Sequence, residues 1–98
     1  MIHHVVCFRF KAGVTAAQVA EAGAALLAMP ARIPSIRGIA FGPNLAPSAG
    51  EWSHVLHVLF DDMEAVNAYA VDPEHVRVVT DIVAPIREAR LAIDVEVP

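Results

Sequence analysis

The chain holds one cysteine, one tyrosine, one tryptophan and no run of basic residues. Each scarcity removes a class of function. Cys7 has no second cysteine with which to close a disulfide. Lys11 and six scattered arginines, within a formal net charge of -4, make no positive stripe for nucleic acid and no polybasic anchor for an anionic membrane. Apolar runs are short: residues 19–29 are diluted by alanine and glycine, and residues 55–60 fall far below the ~20 needed to cross a bilayer. Met1-Ile2-His3-His4 has neither the positive region nor the apolar run of a secretory leader, so a cytoplasmic protein is expected. Gly38, Gly42 and Gly50 lack the strand–turn–helix setting of a phosphate loop, and no cofactor is expected.

What is present is apolar. Hydrophobic residues make up 56% of the 98 positions and charged ones 18%, too greasy for disorder and more than one small core can hide. A single domain over residues 1–98 that covers a sheet face by self-association follows. Residues 2–10 alternate: Ile2, His4, Val6, Phe8 and Phe10 share one face, and His3, Val5, Cys7 and Arg9 the other. After Gly13, Thr15-Ala-Ala-Gln18 fits a capping box that starts a helix with Val19, Ala22, Gly23, Leu26 and Leu27 on its inner stripe. Pro30 and Pro34 end it.

Strands are expected over residues 36–42, 53–60 and 91–97. In the second of these, His54, Leu56, Val58 and Phe60 share a face opposite Ser53, Val55, His57 and Leu59. Asp61 or Asp62 caps a short helix ending near residue 71, and Asp72-Pro73 opens another. The resulting order, β-α-β-β-α-α-β, is an α+β ferredoxin-like arrangement with a four-stranded antiparallel sheet. Helices cover one face of such a sheet. Two open faces placed together make a dimeric α/β barrel, with Val5, Cys7, Val55 and Leu59 in the seam beside His3, Arg9 and His57.

The opening His-Val-Val-Cys-Phe-Arg-Phe-Lys, Gly42-Pro43-Asn44-Leu45, Ser53-His54, Tyr69-Ala-Val-Asp-Pro73-Glu-His75-Val76 and Ile93-Asp94-Val95 together resemble the stress-responsive dimeric A/B barrel domain family, over residues 2–97. That resemblance implies the dimeric barrel fold. It also implies, by likeness to the family's plant polyketide cyclases, a cofactor-free aldol-type reaction. Under it His75 is the base and Tyr69 the hydrogen-bond donor, with His4 and His54 in the pocket. Asp72 departs from the family, which often has histidine before the proline. The abundance of Ala and Val departs from the aromatic walls that a long acyl tail would need.

The residues themselves support such a site independently. His75 is the third residue of a helix starting at Pro73, where the dipole disfavours imidazolium and leaves a ring able to accept a proton. At 100° per residue it faces the sheet with Val79, Ile82 and Ile86. Tyr69 ends the preceding helix, and a phenol suits a developing oxyanion. His4 and His54 lie on helix-facing sides of their strands, where they converge beneath His75 and Tyr69 if the strands are neighbours; Val6, Phe8 and Val79 complete an apolar small-molecule pocket.

Packing offers another account of each residue: a histidine bonded to a backbone carbonyl, or a core tyrosine with a tethered hydroxyl. An open three-histidine zinc site from His4, His54 and His75 is the metal alternative, although no acid is placed to support it; no metal is expected. Cys7 reads as a small buried residue, and Asp61, Asp62 and Glu64 as charge at a helix start. The choice lies between a cyclase-like or lyase-like enzyme and a non-catalytic stress-response or ligand-binding dimer, with a cofactor-free oxygenase, as found on the same barrel topology in a related superfamily, as a third and weaker alternative.

Overall fold

The computed structural model describes all of residues 1–98. Strands β1 (Ile2–Phe10), β2 (Gly38–Pro43), β3 (His54–Phe60) and β4 (Arg87–Glu96) form one sheet in the order β2-β3-β1-β4. Every pairing is antiparallel. Helices α1 (Ala16–Leu27), α2 (Met63–Val71) and α3 (Pro73–Val78) lie on one face, with a 3₁₀ turn at Met29–Ala31 and a π-turn at Val79–Val83. The element order is the ferredoxin-like one read from the pattern.

Local chemistry starts each helix. The capping box is closed: the Gln18 amide donates to Thr15 Oγ1 at 3.2 Å, and the Thr15 amide donates to Gln18 Oε1 at 2.8 Å. Asp62, not Asp61, caps α2 by accepting from the Ala65 amide at 2.9 Å. Asp61 instead pairs with Arg37. Ala22, Gly23 and Leu26 of α1 are buried, but Leu27 is 45% exposed, outside the expected stripe. A Cβ on Gly23 would stand 2.7 Å from Phe41 Cδ1, so the absence of a side chain lets α1 lie directly on β2.

Two strand starts differ from expectation by more than one residue. Ile36 closes a turn onto the Ile33 carbonyl at 3.1 Å, so β2 begins only at Gly38. β4 begins four residues before Leu91, because main-chain pairing with β1 extends through its charged stretch. Backbone hydrogen bonds are indifferent to side-chain polarity, and hydropathy is blind to such an extension.

The core fills the space between sheet and helices. Val58, Phe60 and Val78 have no measurable exposure, and Val6, Phe8, Leu26, Leu56, Val66 and Tyr69 pack with them. Truncating Phe60 to alanine would cost about 3–5 kcal/mol. The other sheet face has no cover. In β4, Leu91, Ile93 and Val95 are 45%, 46% and 50% exposed, opposite Cys7, Val5 and His3 of β1. On the same face His3 Nδ1 and His57 Nε2 lie 3.0 Å apart with the rings stacked.

Candidate active site

The site begins at the corner between α2 and α3. Asp72 terminates the first helix and caps the second, accepting from the Glu74 amide at 2.9 Å. Its backbone is extended, as the residue before a proline prefers. Pro73 then sets the first turn of α3 and brings His75 back over α2, where its Nδ1 lies 3.3 Å from the Ala70 carbonyl oxygen. A carbonyl only accepts, so Nδ1 carries the proton and Nε2 holds a free lone pair.

The Tyr69 and His75 rings touch at a tilt of 38° with centroids 4.1 Å apart, and His4 meets Tyr69 edge-on at 5.8 Å. All three border a cavity of about 170 Å³ between sheet and helices. Val6, Phe8 and Val79, expected as pocket lining, border it too. The Tyr69 ring is buried in the core, yet its hydroxyl has no protein partner and is not sealed from the cavity. Burial raises its pKa, which keeps the phenol protonated as a donor. Burial is likewise the main cause that lowers the pKa of His75; the Ala70 hydrogen bond opposes it, and the charge of His4 adds to it. Desolvation thus acts in the same direction as the helix-start effect anticipated from the sequence.

The π-turn changes the lining beyond Val79. The Ala84 amide donates to the Val79 carbonyl at 2.7 Å, one residue further than an α-helical bond. Val83, rather than Ile82, then borders the cavity. A 100° step carried through residues 79–83 misses this because the turn holds an extra residue.

His54 does not join the cluster. β1 and β3 are neighbours, but their register sets His4 against Val58 and His54 against Phe8. Four residues along a strand are about 13 Å. His54 instead stacks on Phe41, bonds to Ser53 Oγ at 2.9 Å, and lines a separate open groove with Val19, Gly23 and Leu27. Burial lowers its pKa as well. The separation also takes apart the three-histidine metal set.

The register brings in residues that hydropathy did not single out. Asp94 lies opposite His4 and accepts from its Nδ1 at 2.6 Å, which fixes that tautomer and leaves the His4 Nε2 free. Arg87 and Arg90 border the same cavity. They are three apart, so strict alternation would put them on opposite faces. The β1–β4 register shifts between Arg9 and Phe10, with Arg9 opposite Ala89 and Phe10 opposite Arg87. Glu88 is therefore an extra residue, and this bulge turns Arg87 to the side of Arg90. The only signal in the sequence was two arginines at the edge of an apolar strand.

Comparison with known proteins agrees with this architecture. A stress-response A/B barrel domain-containing protein of Arabidopsis thaliana is 32% identical over 95 residues; these span 96% of this chain but 36% of that protein. The chain thus spans about a third of that relative's length. A dimeric ferredoxin-like protein of unknown function from Thermobifida fusca superposes with a TM-score of 0.84 at 31% identity, covering 98% of this chain and 90% of the other. Hydroxynitrile lyase from Passiflora edulis gives 0.87 at 16% identity, covering 99% and 93%, a likeness of fold alone. The family model described as the stress responsive A/B barrel domain matches residues 2–97, and the chain belongs to that family.

Proposed function

We infer that this protein is a homodimeric barrel whose cavity carries out cofactor-free acid–base chemistry on a small carbonyl compound. One observation carries the reading: an imidazole with a free Nε2 and a phenol with an unengaged hydroxyl lie in contact, their rings tilted by 38°, at the wall of one cavity. His75 Nε2 removes a proton from a carbon flanked by two carbonyls. The C–H bond breaks, an N–H bond forms, and the electron pair moves onto a carbonyl oxygen that Tyr69 stabilises by donation. The enolate carbon then bonds to a second carbonyl carbon of the same molecule, and that carbonyl's π pair moves onto its oxygen. The alkoxide takes back the proton held on His75 Nε2, an aldol closure of the type that the family resemblance suggests.

Dimerisation is supported by the uncovered apolar face of β1, β3 and β4 and by the dimeric Thermobifida fusca relative. The acid–base reading is tested by deuterium exchange at C2 of methyl acetoacetate, followed by NMR. Exchange accelerated by the wild type and abolished in His75→Gln, with the fold intact, is the expected result. Binding of the ester without accelerated exchange would sink the enzymatic reading and leave a ligand-binding protein.

A further inference from the structure

The cavity has a charged end that the acid–base pair does not use. Of the six arginines, four have carboxylate partners: Arg9 with Glu51, Arg32 and Arg77 with Glu74, and Arg37 with Asp61. The two without an ion-pair partner, Arg87 and Arg90, are the two that border the cavity. Of the two acids on the same face of β4, Asp94 is engaged by His4, and Glu96 lies six residues beyond Arg90, opposite Ile2. Arg87 is half-buried and Arg90 exposed, and guanidinium stays protonated at any ordinary pH, so two like charges border one end of the cavity, the first of them partly desolvated. Burial and the neighbouring Arg90 both disfavour the charge on Arg87. A β-bulge is what aims the second guanidinium at this face, and bulges recur beside active sites for that reason.

Building on the acid–base reading, we propose that the cavity takes a small oxo-carboxylate anion, with its carboxylate held by Arg87 and Arg90 and its carbonyl turned toward Tyr69 and His75. Arginine presents a planar fork of donors matched to a carboxylate. The volume sets the size of the ligand. About 170 Å³ is well below the ~300–1,000 Å³ of pockets for drug-sized molecules, so the ligand is a short acid without a long acyl tail. The arginines thus give one end of the cavity a charge preference that its apolar walls do not have.

The test compares acetoacetate with its uncharged methyl ester by NMR titration of the full chain. Wild type is expected to bind acetoacetate at least about tenfold more tightly, the lower range for a charge-assisted pair. Arg87→Gln and Arg90→Gln should each remove that preference without weakening the ester, and His75→Gln should leave it intact. Equal affinity for acid and ester in wild type, no binding of acetoacetate, or a preference that survives in both arginine variants would overturn the proposal. Its failure is distinguishable from failure of the acid–base reading, because exchange at C2 of the neutral ester needs no anion site. Accelerated ester exchange without acid preference removes the anion site and keeps the base. Acid preference without exchange does the reverse.

Discussion

His3 and His4 are consecutive residues of one strand, and they meet opposite surroundings. His4 points into the helix-covered side, bonds to Asp94 and sits edge-on to Tyr69 at the cavity wall. His3 points to the open side and stacks on His57 among exposed aliphatic residues. The period of two in an extended chain separates them. What each imidazole can do is then set by its neighbours: a carboxylate fixes the proton of His4, whereas the His3–His57 contact requires one ring to donate and the other to accept. One face places His4 beside Tyr69 and His75 at a cavity, and the other presents apolar surface without cover.

Substitutions on the two faces should separate these roles. The largest effect is expected from Val55→Asp on the open face. A carboxylate forced into a closed apolar seam costs several kcal/mol, on the order of the ~3–5 kcal/mol of an unpaired buried charge. Light scattering should show monomer or aggregate, and an unchanged dimer would move the seam elsewhere. On the covered face, His75→Gln should lower C2 exchange by about 10²-fold or more with the dimer retained. Loss of folding instead would make the Ala70 contact the purpose of this histidine. Tyr69→Phe removes only a donor and should cost about tenfold in exchange rate, with little change in melting temperature.

The smallest effect is that of pH, and its sign follows from burial. His75 and His54 both have folded-state pKa values below the ordinary 6.5. Just below that value the unfolded chain binds more protons than the folded one, so stability contributed by these rings is complete above about 6.5 and falls as pH drops toward the folded values. Thermal melts across this window should show that loss, and it should shrink in His75→Gln. Exchange catalysis should keep its neutral base to below about pH 6.5, and an acid limb above that value would contradict burial of the ring.

Much of the architecture was legible because it is local. Alternation in β1 and β3, the Thr15–Gln18 box and the Asp72-Pro73 corner are short-range patterns, and each reappears in the fold. The open face was half legible: Val5, Cys7, Val55 and Leu59 could be assigned, whereas Leu91, Ile93 and Val95 joined them only once β4 was paired with β1. For the site, His75, Tyr69 and His4 share the cavity as the helix corner and strand face suggested, but His54 belongs elsewhere. Facing the same way on neighbouring strands says nothing about position along them. Asp94, Arg87 and Arg90 could not be picked out as site residues, because their placement depends on register and on one inserted residue.

By itself the sequence determined the order and type of the main helices and strands, the apolar faces of β1 and β3, and where the tyrosine and histidine of the α2–α3 corner lie relative to the sheet. Those follow from side-chain periodicity, capping and proline geometry, all acting within a few residues. Only the tertiary structure decided which side chains share a cavity. Strand register slides whole rows of residues past one another, a bulge reverses the facing of Arg87, and a π-turn exchanges Ile82 for Val83. None of these leaves a periodic trace in the chain, and all three decide the composition of the cavity wall.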